Sequence, residues 1–148
     1  MSGSVHQSSP TGDVWPAPAR AWAMVMLLVA AYAIAFVDRQ ILTLLVEPVK
    51  RDLGITDTQF SLLSGLAFTF FYTIMGIPFA WLADRGSRRN LIVVSMTFWS
   101  VMTAACGMAS SFLTLFLARI GVGVGEAGLS PAAYSMIADS FPPEKRAR

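Results

Sequence analysis

The sequence predicts an all-α, polytopic membrane helix bundle with four membrane-spanning segments. Of its 148 residues, 55% are hydrophobic and only 14% are charged, whereas soluble domains carry about a quarter charged residues. Long apolar stretches lie at 21–46, 60–83, 91–109 and 112–141, and each is long enough to cross a hydrocarbon core of about 30 Å. Helices suit this role because they satisfy all their backbone hydrogen bonds internally.

The N-terminal stretch, residues 1–19, is rich in Ser, Pro and Gly and includes the lone histidine, His6. Its composition predicts a disordered tail, and it lacks the apolar core of a signal peptide. The first span follows, and Glu47-Pro48 predicts its end because proline disfavours helix at the residue before it. A polar linker is expected next. Thr56 and Gln59 then have the spacing of a capping box, which predicts the start of the second helix.

The second and third spans contain no charged residue. In the second, Phe68, Phe70, Phe71 and Tyr72 point in several directions around a helix, so we expect them to contact lipid or other helices. The single cysteine, Cys106, lies in the third span and is interpreted as a small buried apolar residue. The fourth span is longer than a bilayer requires and contains Pro131, which predicts a bend.

The loops predict the orientation in the membrane. Cytoplasmic loops of membrane proteins carry an excess of Lys and Arg. The turn after the second span and the segment after the fourth each carry three cations, while the connection after the third carries none. We therefore expect both termini on the cytoplasmic side of an inner (plasma) membrane. Lys50 and Arg51, on the opposite side, are an exception to this rule.

Four charged residues lie inside the first and fourth spans: Asp38, Arg39, Arg119 and Glu126. Arg119 and Glu126 are seven residues apart, close to two helical turns, and so share a face. At a rise of about 1.5 Å per residue, Asp38 and Arg119 lie about 12 and about 10 Å below the outer surface, and Glu126 about 21 Å. The set is neutral overall, and ionisable groups at such depth predict a functional site.

Two interpretations of these charges stay open. They form either a structural ion-pair network between two helices or a proton-binding or substrate-binding site. A low dielectric disfavours an ionised carboxylate, whereas a neighbouring arginine favours it. Protonation would then depend on whether the ion pairs are made, which is what proton coupling requires.

Small residues around the buried charges predict close helix packing, with Pro131 as the expected point of bending. The glycines are Gly121, Gly123, Gly125 and Gly128. Three of them match the spacing of a dinucleotide-binding loop, but that loop must follow a strand in a soluble unit. No zinc-ligand spacing, nucleophile elbow or Walker loop occurs in the sequence. We therefore expect no metal, no cofactor, no nucleic-acid partner and no enzymatic activity.

The turn after the second span, ADRGSRR, resembles the signature loop of the major facilitator superfamily. Its charged positions are occupied by Asp84, Arg85, Arg88 and Arg89. Ala80 and Ser87 stand where the family pattern has glycines, and Arg119 followed by Gly123 resembles the family's fourth-helix motif. VDRQ at 37–40, ARIGVGVGEAG at 118–128 and the stretch from Ser130 to Arg148 are similar to the spinster-like branch. Animal members of that branch are associated with export of lysolipids such as sphingosine-1-phosphate.

The resemblance covers residues 20–148 and implies the first four helices of the N-terminal half of a twelve-helix transporter. It implies that the charges of the first and fourth spans line a central cavity for substrate or protons. The charges of the signature loop, Asp84 with its arginines, would form a cytoplasmic gate. The expected function is proton-coupled secondary transport of a small organic or lysolipid-like substrate by alternating access. The expected partners are substrate, protons, the bilayer and the remaining helices of a chain that looks truncated.

Two alternatives stay open. One is a complete four-span multidrug exporter that works as a dimer. The other is a membrane scaffold without transport activity.

Overall fold

The computed structural model describes residues 18–140, and its regular structure there is entirely helical. The predicted tail up to residue 17 and the basic C-terminal segment lie outside the described residues. The elements are α1 (Pro18–Leu44), α2 (Val46–Leu53), α3 (Asp57–Ser61), a π-helical turn (Leu62–Ala67), α4 (Phe68–Arg85), α5 (Arg88–Gly107), α6 (Phe112–Ala127) and α7 (Leu129–Ser140).

Four helical segments are long and apolar enough to cross a membrane, as predicted. They are Ala19–Leu44, Asp57–Arg85, Arg88–Gly107 and Phe112–Ser140. The fourth span forms the centre of the bundle, because 61% of its most apolar window is buried against 17–22% in the other three. The other spans surround it and expose their remaining apolar surface, which is the arrangement expected of helices that face lipid.

Glycines explain why the fourth span lies so deep. A Cβ atom at Gly123 would lie 2.8 Å from the carbonyl oxygen of Phe68, and one at Gly125 would lie 2.8 Å from the backbone nitrogen of Trp99. Both distances are shorter than real Cβ contacts. Backbones of α4 and α5 can therefore approach α6 only because these positions lack side chains, as in other small-residue contacts between membrane helices. Gly121 and Gly128 face the side chains of Met102 and Ser95 in the same way.

The expected polar linker after the first span is instead the short helix α2, and α1 ends at Leu44. The prediction that Pro48 would prevent a helix here was wrong. Pro48 is the third residue of α2, in its first turn, and the N–H groups of a first turn have no intrahelical partner in any helix. The apolar side of α2, with Val49 and Leu53, packs on a buried cluster. Gly54 ends α2 in a left-handed conformation, φ 62°, which glycine adopts without steric cost.

Lys50 connects α2 to the start of the second span. Its Nζ lies 2.5 Å from a carboxylate oxygen of Asp57 and 3.5 Å from one of Glu47. The hydrogen bond with Asp57 raises the pKa of Lys50 above its ordinary value. Lys50 lies at the end of the bundle that the sequence predicts to be extracellular, and its charge is balanced there by carboxylates of the same chain.

Caps define the helix starts. The Thr56 N–H donates to Gln59 Oε1 at 2.9 Å, and the Gln59 N–H donates to Thr56 Oγ1 at 3.3 Å, which forms the predicted capping box. Ser111 caps α6 in the same way. The fourth span is interrupted at Gly128, and Pro131 occupies the third position of α7. The bend predicted from Pro131 therefore corresponds to the helix break at Gly128, three residues earlier. Pro131 itself lies in the first turn of α7, where a proline removes no intrahelical hydrogen bond.

Three buried hydrophobic clusters pack α1 against the rest of the bundle along its length. At the α2 end, Leu42 packs with Leu63 and Leu115; in the middle, Ala35 packs with Val122; at the opposite end, Leu28 packs with Leu129. Since contacts with the fourth span occur above and below residues 38 and 39, the charged part of α1 faces the charged part of α6.

Substituting Gly125→Ala tests the packing of α6. An added Cβ would meet the Trp99 backbone, which can shift only if α5 moves, so we expect the free energy of unfolding to fall by about 1–3 kcal/mol. Gly76→Ala is the matched control because nothing lies within 4 Å of a Cβ there. Thermal unfolding in detergent should show loss for Gly125→Ala and no loss for Gly76→Ala. Equal stability of the two variants would contradict this account of the helix contact.

Candidate functional site

Two ion pairs join the first and fourth spans. Arg39 donates from Nη2 and Nε to Glu126 Oε2, at 2.5 and 2.9 Å. Arg119 donates from Nη1 to Asp38 Oδ2 at 3.4 Å. Neighbouring residues on α1 thus pair with residues two turns apart on α6. The four charges balance, which is the arrangement that a low-dielectric interior tolerates.

The two pairs differ in exposure. In the longer pair, the side chains of Arg119 and Asp38 are 7% and 11% exposed. In the shorter pair, the side chain of Glu126 is 1% exposed and that of Arg39 is 44% exposed. The Asp38–Arg119 pair is therefore enclosed on both sides. The Arg39–Glu126 pair has one enclosed partner and one partner with an open face.

Glu126 uses only one of its carboxylate oxygens. Both N–H groups of Arg39 converge on Oε2, while Oε1 is buried without a hydrogen-bond partner among the described residues. Arg119 Nε is likewise unpartnered in the described part of the chain. Buried polar atoms are rarely left unsatisfied. The free oxygen Oε1 of Glu126 can accept a proton while Arg39 is still on Oε2, and the loss of charge then weakens the hydrogen bonds to Arg39.

Two aromatic rings of α4 hold the guanidinium of Arg39. Its Cζ atom lies 4.8 Å from the Phe68 ring centroid and 5.3 Å from that of Tyr72. The rings stack on each other with centroids 5.7 Å apart and planes 19° apart. The Tyr72 hydroxyl lies 3.1 Å from Ser130 Oγ on α7.

The contacts with other helices that the sequence predicts for these aromatics occur at Phe68 and Tyr72, which meet Arg39 of α1. Phe70 and Phe71 contact each other edge to face, and Phe70 is 53% exposed. Phe68 and Tyr72 contact an ion-paired arginine, which sequence reasoning missed. Their spacing of four residues, which places two side chains on one helix face, was the available signal.

Cavities lie on both sides of the charges. One, of about 280 Å³, is lined by Arg39, Ser64, Phe68 and Arg119, among others. The other, of about 370 Å³, is lined by Asp38, Thr103, Cys106 and Arg119, among others. Arg119 borders both cavities, Asp38 borders the larger one and Arg39 the smaller one. No group of metal ligands occurs among residues 18–140.

The turn between the second and third spans has a partner that sequence reasoning missed. Arg88 donates from Nε to the Ala83 carbonyl at 3.3 Å and forms an ion pair with Asp139, near the end of α7. Arg85 lies over the Trp81 ring at 4.4 Å. Asp84 and Arg89 are exposed. One arginine of the signature loop, Arg88, therefore ties this turn to the fourth span, and the other three predicted residues are exposed.

The bundle has four apolar spans, and the charges inside the first and fourth spans are paired with each other. These features define a polytopic integral membrane protein. Residues 28–148 match the profile of the Major Facilitator Superfamily, and the chain belongs to this family. The family is one of transporters and not of enzymes.

Three relatives within this family resemble the chain in sequence or structure. The chain is 40% identical over 129 residues to an MFS-type efflux pump of Mycolicibacterium smegmatis, which covers 87% of this chain and 30% of that protein. It is 34% identical over 126 residues to a probable L-galactonate transporter of Escherichia coli, covering 85% of this chain and 27% of that protein. The crystal structure of a bacterial homologue of the human lysosomal transporter Spinster, inward-facing and unoccupied, superposes with a TM-score of 0.85 at 40% identity. That match covers 89% of this chain and 28% of the other.

The predicted resemblance to the spinster-like branch is confirmed by the last of these matches. The chain spans about 30% of the length of the relatives it matches.

Proposed function

We propose that this chain is the N-terminal part of a proton-coupled secondary transporter for organic anions. Its coupling centre is the set Asp38, Arg39, Arg119 and Glu126. The transporter resides in the inner (plasma) membrane with both ends of this segment in the cytoplasm. Further helices complete the first half and supply the second, and the two halves rock about the centre to expose it alternately to each side.

The observation that carries the proposal is the enclosure of Glu126. Its side chain is 1% exposed, and Oε1 has no hydrogen-bond partner among the described residues. A proton that binds Oε1 converts the carboxylate to a neutral carboxyl group. The attraction to Arg39 then loses its charge term, and the cluster changes from neutral to a net charge of plus one.

That extra charge defines the substrate class. Arg39 is half-exposed, so its remaining N–H donors are accessible to a solute once Glu126 is neutral. A carboxylate or phosphate group would restore neutrality and match the planar fork of the guanidinium. One relative is a probable transporter of L-galactonate, a carboxylate. Lysolipid phosphates, suggested by the spinster resemblance, carry the same recognition chemistry.

The signature loop fits the role of a cytoplasmic gate. The Arg88–Asp139 ion pair fixes the turn to the fourth span. Asp84, Arg85 and Arg89 expose their side chains and are available to the opposite half of a complete transporter. Such contacts would favour the conformation in which the cytoplasmic ends are closed.

The two alternatives have less support. A dimeric four-span exporter gives the charged turn no role, and membership of the Major Facilitator Superfamily argues against it. A scaffold without transport activity does not explain why Glu126 is buried with only one of its two carboxylate oxygens hydrogen-bonded.

Glu126→Gln tests proton coupling. The amide keeps the shape of the side chain but cannot take up a proton, so pH-driven accumulation should fall by about 5- to 150-fold, the usual range of coupling between two sites. Uptake of L-galactonate and of sphingosine-1-phosphate into proteoliposomes, each with and without a pH gradient, measures the effect. Glu47→Gln is the control, because Glu47 lies on α2 with its side chain 73% exposed. Unchanged dependence on the gradient in Glu126→Gln would end the coupling assignment.

Asp84→Asn tests the gate. Loss of an exposed charge contact of about 1 kcal/mol should shift the balance of inward and outward states by about fivefold. Transport rate and the reactivity of cysteines introduced on each side report this balance. Asp52→Asn, also exposed but at the α2 end, should leave both unchanged. If Asp84→Asn behaves like Asp52→Asn, the gate assignment is wrong.

The orientation is tested by cysteine labelling in intact cells. In a Cys106→Ser background, Asp52→Cys should react with a membrane-impermeant maleimide from outside. Asn90→Cys, exposed at the opposite end of the bundle, should react only after the membrane is permeabilised. The reverse pattern would place the termini outside.

A further inference from the structure

The aromatic pair of α4 is fixed more firmly than a lipid-facing surface requires. Phe68 begins α4 where Gly123 brings the backbone of α6 against it. Its ring also packs beside the buried cluster of Ala35, Trp99 and Val122. Tyr72 is held by the hydroxyl contact with Ser130. Both rings therefore have a position set by the fourth span, which also carries Glu126.

Arg39 consequently has two independent attachments. One is the pair of hydrogen bonds to Glu126 Oε2, and the other is the stack of the guanidinium on two aromatic faces. The first depends on the charge of Glu126. The second does not, because the attraction of a cation to an aromatic face comes from the ring's own charge distribution.

We propose that Phe68 and Tyr72 are positioning residues for Arg39, which they hold in place when Glu126 is neutral. This inference rests on the proposed function, because it describes the state of the site after proton uptake. Without the rings, a released arginine side chain would explore many rotamers and lose entropy again on each encounter with substrate. With them, the donors freed from Glu126 stay aimed at the cavity, ready for a carboxylate or phosphate.

Other groups around Arg39 do not provide this hold. Asp38 is engaged with Arg119. Tyr32 interacts electrostatically with Arg39, Tyr72 and Tyr134. Asp38 and Arg119 act electrostatically on Glu126 with opposite sign. The two rings are thus the uncharged contacts of the guanidinium that persist through a change at Glu126.

A spectroscopic experiment tests the hold without any substrate. In protein labelled with isotopic arginine, ring currents from Phe68 and Tyr72 should displace the Arg39 side-chain signals, which the variant Arg39→Lys assigns. We expect most of this displacement to persist in Glu126→Gln and to vanish when Phe68→Leu and Tyr72→Leu are added. Phe70→Leu is the matched control, since Phe70 lies on the same helix but is not stacked on Arg39. Loss of the displacement in Glu126→Gln alone would overturn the proposal.

Transport kinetics supply a second measurement that does not need Glu126→Gln to fold. Replacing Phe68 by 4-cyanophenylalanine keeps the ring's shape but weakens the negative face. It should raise KM for L-galactonate or sphingosine-1-phosphate, whichever is carried, by up to about tenfold, with kcat little changed. Phe68→Trp should preserve KM, and so should Tyr72→Phe, which keeps the ring without the hydroxyl. A purely steric role predicts instead that Trp is harmful and the cyano ring neutral, and that result would also overturn the proposal.

The two measurements separate the possible failures. If the complete transporter that contains this chain carries neither probe along a pH gradient, the proposed function fails, while the ring-current result still decides whether the rings hold Arg39. If transport is coupled and the ring variants change neither observable, only the positioning role fails.

Discussion

The pairing of the enclosed carboxylate of Glu126 with Arg39 is the interaction on which the rest of this bundle depends. A single carboxylate with 1% exposure cannot stay charged in an apolar interior unless a cation meets it. That requirement fixes the relation of two spans, because Arg39 reaches Glu126 only if α1 packs against α6 in one register. The hydrophobic clusters above and below the charges hold this register. Packing and charge therefore specify the same arrangement.

Glycine is what lets the fourth span carry that carboxylate at the centre. At Gly123 and Gly125 the neighbouring backbones come so close that even a methyl group would collide with them. Glu126, three residues after Gly123 on the same helix, has a side chain that is only 1% exposed. The glycines of α6 and the buried Arg39–Glu126 ion pair are two separate features of the sequence. In the structure they belong to the same packed region of the fourth span. In the proposed coupling centre, protonation of Glu126 would depend on its pairing with Arg39, and the close packing of α6 would keep the surroundings of this carboxyl group apolar.

Much of the fold follows from the sequence, because apolar length and buried charge are local signals. The four spans follow from apolar length, the capping box at Thr56 follows from spacing, and the meeting of the charged residues follows from their similar depth. The errors occur where partners distant in the chain decide the outcome. Pro48 looked like the end of a span, yet the cluster beneath Val49 and Leu53 stabilises a helix through it. Asp139 gave no signal, since only the folded chain brings it to Arg88.

The crosswise pairing has a consequence for how the four charges can act. Asp38 and Arg39 are adjacent on α1, so any movement of that helix shifts an anion and a cation together and changes no net charge. A proton on Glu126 does change it, and the enclosed Asp38–Arg119 pair offers little room for compensation, with exposures of 11% and 7%. The imbalance therefore concentrates on Arg39, the one member with an open face. In the transport cycle proposed above, an anion would restore neutrality at this guanidinium, because the side chain of Arg39 is 44% exposed.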